Sequence, residues 1–204
     1  MNKENTALLI IDVVNNCCHE SSETPEYGIH FTKIRKMIPK LTKFVDEFRK
    51  QIGSQIIFVN ITPWDKKHLA KNIIELYDNE PKSVYYSDDK TGFSERFFGI
   101  EPLKDDIVIT KNAYSAFANP ELEKILKEKG IQYIVIIGVF TDGCVLTTIC
   151  DGFTKGFNFV ILKDLIETTD IKIRQELHKN LIEYTFPILY GKTITSDEFL
   201  KDWE

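Results

Sequence analysis

The sequence holds no apolar run approaching the ~20 residues that a membrane-spanning helix needs, and no membrane partner is expected. Its first apolar stretch, Ala7 to Ile11, is broken by Asp12, and no small-residue cleavage site follows, so no export signal is read there. The expected compartment is therefore the cytoplasm. Cysteine is scarce, and in a reducing compartment Cys17, Cys18, Cys144 and Cys150 should remain thiols. Excess positive charge is also missing. With 26 basic against 31 acidic side chains the formal charge is −5, which argues against a surface built to hold phosphate backbones and excludes nucleic acid as the expected partner. Histidine is limited to four positions, and only His68 has an acidic neighbour, Asp65, at a spacing of interest. Low-complexity tracts, internal repeats and linkers are absent, so residues 1–204 read as one domain.

What the chain does have is apolar content of 43 %, enough for a substantial core. Five runs are nearly continuous in Ile, Val, Leu and Phe: "TALLIIDVV", "SQIIFVNI", "DDIVITK", "QYIVIIGV" and "FNFVILKD". Such runs mark strands covered on both faces, and hence a parallel sheet. Helical patterns lie between them. Ile34, Ile38, Leu41, Val45 and Phe48 form one stripe, which Pro39 is expected to kink or restart. Asn119 is placed to cap a second helix, with Pro120 at its first position, Leu122, Ile125 and Leu126 on its stripe and Gly130 past its end. Asp170 is read as the cap of a further helix with Ile173, Leu177 and Leu181 inward. Ile188 and Leu189 suggest a sixth strand, and Ser196 a last helix. Strand alternating with helix predicts a three-layer, doubly wound α/β fold, Rossmann-like, with a mostly parallel sheet of five or six strands. Residues 62–104, irregular and rich in proline, glycine and aromatics, are expected to shape a pocket.

Ligands of open parallel sheets bind at the carboxyl ends of the strands. Three reactive side chains fall there: Asp12 closes the first strand, Lys111 closes the third, and Cys144 follows the fourth, across "GVFTDG". A thiol at a helix N-terminus meets unpaired N–H groups and the positive end of the macrodipole. A nearby lysine adds to this, so the pKa is expected to fall below ~8.5, with a carboxylate to take the proton. Residue type alone leaves a second reading open for each. Cys144 fits equally as a small inert core side chain, Asp12 as the cap of a turn, and Lys111 as an ordinary strand end.

The stretches "ALLIIDVVNN", "KNAYSAFANPELEKILKEKGI" and "VIIGVFTDGCVLTTICDGFTKGFNFVILKD" resemble the isochorismatase-like cysteine hydrolases, which include nicotinamidases and N-carbamoylsarcosine amidase. Lys111, Ser115, Ala116 and Phe117 match the family's K-x-x-x-S-A-F pattern; Val145, Thr148, Asp151, Gly156 and Asp164 also stand where the family would have them. The resemblance implies a catalytic triad of Asp12, Lys111 and Cys144, and a cis peptide between Val139 and Phe140. It also implies an oxyanion hole from the N–H groups of Phe140 and Cys144. The implied reaction is hydrolysis of a small amide or ureido compound through a thioester, without a cofactor, by a homo-oligomer of two or four subunits. Phe117, Phe140 and Trp64 are the expected substrate-binding side chains. Vinyl ether hydrolysis, a binding module that has lost activity, and a redox-sensing Cys144 are the competing readings. The match frays where members often read D-x-Q-N-D-F and this chain has Val14, Asn16 and Cys17. The metal site of nicotinamidases needs more histidines than Asp65 and His68 supply, so no metal is expected.

Overall fold

The computed structural model describes residues 1–61, 69–79 and 92–203. Six parallel strands form one sheet: β1 (Thr6–Ile11), β2 (Gln55–Ile61), β3 (Ile107–Lys111), β4 (Tyr133–Val139), β5 (Asn158–Glu167) and β6 (Gly191–Ile194), in the order β3-β2-β1-β4-β5-β6. The chain winds outward from β1 to β3, then restarts beside β1 with β4 and winds the other way. The switch point therefore lies between β1 and β4, where Ile11 pairs with Gly138.

The helices are α1 (Asn15–Cys18), α2 (Thr32–Gln51), α3 (Lys71–Asn79), α4 (Pro120–Glu128), α5 (Leu146–Thr154), α6 (Lys172–Asn180), α7 (Phe186–Leu189) and α8 (Ser196–Lys201). Alternating residues of the central strands feed two cores. Leu8, Ile10 and Phe58 pack with Ile34, Leu41, Val45 and Phe48 of α2 and Phe199 of α8. Leu9, Ile11, Ile57 and Val59 pack with Leu122 and Leu126 of α4, Val145 and Ile149. The full burial of β1 explains why its sequence shows no polar alternation. Edge strand β3 does alternate, with Val108 exposed and Ile109 buried, because only one of its faces is covered.

The Asn119 cap forms as expected, accepting from Glu121 N–H at 3.0 Å. Helix α2 runs unbroken through Pro39. Three expectations are corrected. Ile188 and Leu189 end a short helix, and the sixth strand starts at Gly191, where a Cβ would stand 2.2 Å from the Phe159 carbonyl oxygen. Asp170 does not cap α6; its oxygens accept the Thr32 and Lys33 N–H groups at 3.0 and 3.1 Å and so cap α2, far away in sequence. Ile173 and Leu177 are exposed, and α6 buries none of its own side chains. Among the described residues no helix is long and apolar enough to cross a membrane.

Candidate active site

Strand β1 ends at Ile11, and Asp12 follows in the left-handed region at φ 50°, a conformation that short polar side chains tolerate best. Its N–H still donates to the Val59 carbonyl at 3.0 Å, so the turn stays tied to the sheet while the carboxyl group is re-aimed across the strand ends. Gly138 makes that turn possible from the other side. It has φ 116°, and a Cβ there would lie 2.1 Å from the Ile11 carbonyl oxygen.

Lys111 ends edge strand β3 and reaches inward over β2. Its side chain is fully buried, with Nζ 2.9 Å from Asp12 Oδ2, 3.4 Å from Cys144 Sγ and 3.0 Å from the Ala113 carbonyl oxygen. Cys144 lies in a π-helical turn, Thr141–Val145, between β4 and α5, where the Phe140 carbonyl accepts from the N–H groups of Gly143 and Val145. The peptide between Val139 and Phe140 is cis. Thus three side chains from the ends of β1, β3 and β4 meet at the switch point, and none is far from the others.

The electrostatics differ from the expectation drawn from the helix terminus. Burial pushes the Cys144 thiol up to about 12; the Lys111 ammonium opposes this and the Asp12 carboxylate adds to it. The expected depression is therefore corrected: burial holds the Cys144 thiol above its ordinary value. Burial likewise raises the Asp12 carboxyl, against the pull of Lys111. Lys111 is raised too, since burial lowers it but Asp12 and Cys144 together outweigh that. One ammonium faces two acids, so it balances one negative charge, and a second is opposed by the first and by burial. Asp12 Oδ2 meets the Lys111 ammonium, and the Cys144 side chain also contacts the carboxyl group. A buried carboxyl with a raised pKa, set beside a thiol, is well suited to accept its proton.

Cys144 opens on a cleft of about 420 Å³. Phe140, Tyr77, Tyr114, Thr147, Cys17 and Arg174 supply much of its wall. The hydroxyls of Tyr77 and Tyr114 stand 3.2 Å apart, placing a polar pair on an otherwise aromatic side. Of the expected substrate-binding side chains, Phe140 lines this cleft. Phe117 does not: it packs in the core beneath the sheet, stacked on Phe157 at 5.7 Å, and is not among the described residues lining the cleft. The S-A-F segment instead joins β3 to α5, since Ala116 N–H donates to Thr148 Oγ1 at 2.9 Å. Trp64, Asp65 and His68 lie outside the described residues. Among the described residues, no three His, Cys, Asp or Glu side chains gather to hold a metal.

Sequence reasoning missed Arg174, Tyr77 and the role of Asp142. Arg174 forms a two-point ion pair with Asp142, Nε to Oδ2 at 2.6 Å and Nη2 to Oδ1 at 2.7 Å. Burial works against the Asp142 charge, but Arg174 outweighs it and holds the carboxyl below the usual range. Asp142 was visible two residues before Cys144; nothing in a surface-like helix pattern marked Arg174 as its partner.

An isochorismatase domain model matches residues 6–198, and the chain belongs to the isochorismatase family. The chain is 27 % identical to the isochorismatase family protein YwoC of Bacillus subtilis over 97 % of its length and 94 % of that protein. It is 26 % identical to the ureidoacrylate amidohydrolase RutB of Yersinia enterocolitica, covering 78 % of this chain and 74 % of RutB. A cysteine hydrolase from Pseudomonas syringae pv. phaseolicola superposes with a TM-score of 0.81 at 20 % identity, over 98 % of this chain and 93 % of that one. N-carbamoylsarcosine amidase from Thermoplasma acidophilum gives 0.68 at 25 % identity, over 97 % and 98 %.

Proposed function

We propose that the chain is an amidohydrolase that cleaves a C–N bond of a small amide or ureido compound, with Cys144 as nucleophile. The observation that carries this reading is the convergence of Asp12 and Lys111 on Cys144, which lines the cleft. The kinship to ureidoacrylate amidohydrolase and N-carbamoylsarcosine amidase supports the bond type.

Asp12 accepts the thiol proton as Sγ attacks the carbonyl carbon. The transfer keeps the trio's total charge unchanged, which is how a thiol raised to about 12 becomes a nucleophile at neutral pH. The tetrahedral oxyanion is held by the N–H groups of Phe140 and Cys144, each donor contributing roughly two to three orders of magnitude in rate. Lys111 steadies the negative charge as it moves between carboxylate, sulfur and oxyanion. Asp12 returns its proton to the leaving nitrogen, the C–N bond breaks, and a thioester remains. Asp12 then deprotonates a water that adds to the thioester carbonyl, and C–S cleavage gives the acid and restores the thiol. Net, amide and water become acid and amine. A nucleophilic sulfur serves acyl transfer directly and has no role in simple vinyl ether hydrolysis, so the first chemistry is favoured.

The test is ammonia release from a panel of small amides, ureido acids and nicotinamide, comparing the parent with Cys144→Ala and Cys150→Ala. Release by the parent and by Cys150→Ala, lost in Cys144→Ala, is the expected pattern. Release that survives Cys144→Ala overturns the thiol mechanism. Silence of the parent on every compound points instead to a binding module.

A further inference from the structure

Helix α6 contributes no buried side chain, so little apolar packing holds it in place. Polar contacts do so. Gln175 Nε2 donates to Glu167 Oε1 at 2.9 Å and to the Thr169 carbonyl at 3.0 Å, tying the helix to the end of β5. From that anchorage its side chains touch three consecutive residues of the nucleophile-bearing segment. The Arg174 guanidinium carbon lies 5.0 Å from the Phe140 ring centroid. His178 Nδ1 is 2.9 Å from Thr141 Oγ1. Arg174 also holds Asp142 at two points, and Thr168 Oγ1 adds a third bond to that carboxylate at 2.5 Å.

We propose that Arg174 and His178 are positioning residues that fix residues 140–142 from outside, and with them the place of Cys144 Sγ. The proposal rests on Cys144 being the reactive group. The turn after Phe140 contains Gly143, at φ −128° and ψ −106°, between the clamped residues and the nucleophile. Such a segment does not hold one conformation by propensity alone. Clamping its first residues keeps the sulfur 3.4 Å from Lys111, and small displacements of a reacting atom are costly.

The test needs no substrate. Iodoacetamide alkylation at pH 8 is followed by peptide mass spectrometry, and the rate at Cys144 is divided by the rate at Cys150, a reference thiol in the same chain. Arg174→Met and Asp142→Asn should each lower that ratio about tenfold or more. Arg174→Lys, which keeps the charge and one contact, and His178→Asn, which keeps a polar group near Thr141, should lose less. If Arg174→Met does not fold, Asp142→Asn and Arg174→Lys carry the test. Asp142→Asn separates geometry from charge. It leaves the guanidinium unneutralised near the thiol, so a purely electrostatic role would raise the ratio. An unchanged or raised ratio, or a melting temperature that falls while the ratio holds, overturns the proposal. The amide panel reads the function separately: turnover with an unchanged ratio sinks only the clamp, and silence with a lowered ratio sinks only the amidase.

Discussion

The Lys111 ammonium stands 2.9 Å from the Asp12 carboxylate, with both side chains completely removed from water. An ion pair so placed contributes little net stability, because desolvation of the two charges offsets their attraction. Removing one partner is another matter, since the survivor is left as an unpaired buried charge. In the proposed mechanism the pair acts instead on the proton of the neighbouring thiol.

Lys111→Met should abolish activity and cost about 3–5 kcal/mol at pH 7. The loss should shrink at pH 5. Asp12 already has a raised pKa from burial, and without Lys111 it rises further. An acid raised in the folded state loses stability as pH climbs from 3.8 through its folded value, and regains it as pH falls. Urea unfolding of parent and variant at both pH values measures this; a deficit that does not change with pH contradicts it.

Alkaline conditions should destabilise the parent from about pH 9. The buried thiols of Cys17, Cys18 and Cys144 are all raised above their ordinary 9.0 by burial. Above pH 9 the unfolded chain releases these protons while the folded chain keeps them, so the slope is negative. Each thiol costs about 1.4 kcal/mol per pH unit in that window. Lys111, raised in the fold, acts in the same direction above 10.5. Denaturant titrations between pH 8 and 10 should show the decline, and Cys18→Ala should flatten it; a level profile disproves the burial argument.

Two glycines with positive φ should behave differently. Gly28→Ala meets nothing within 4 Å and should cost only the left-handed backbone penalty, about 1–2 kcal/mol. Gly138→Ala drives a methyl to 2.1 Å from the Ile11 carbonyl oxygen, beside Asp12, and should cost about 4 kcal/mol or more. Thermal melts of the two variants decide it. Equal losses would mean that β1 and β4 separate more easily than their register implies.

Asp170→Ala removes the carboxylate from the first turn of α2 and should cost about 1 kcal/mol. Asp170→Asn, able to accept one of the two N–H bonds, should recover part of it. Because the contact spans two elements, hydrogen exchange at Thr32 and Lys33 should quicken in Asp170→Ala. Unaltered exchange there rules out the cap.

Much of the fold was legible because its signals are local. Unbroken apolar runs mark β1, β2, β4 and β5, and Asn119 with Pro120 marks a helix start that the structure shows bond for bond. The misreadings have a common cause. Asp170, Ile173 and Leu177 were assigned by periodicity to one helix, yet the carboxylate serves a different helix and the two apolar side chains face outward. Periodicity reports which residues share a face, not what that face meets. Phe117 was misplaced for a similar reason: its motif marks a joint between β3 and α5, and no local pattern distinguishes a joint from a pocket wall.

By itself the sequence determined the strand runs, the parallel sheet they imply, and the three reactive residue types that fall at strand ends. Tertiary structure alone decided that those ends meet at the switch point between β1 and β4, that one ammonium is shared by two acids, and that a distant helix grips the turn before the thiol. The reason is physical. Strand and helix formation depend on neighbours in the chain, whereas desolvation and charge balance depend on neighbours in space, which exist only once the sheet has closed around them.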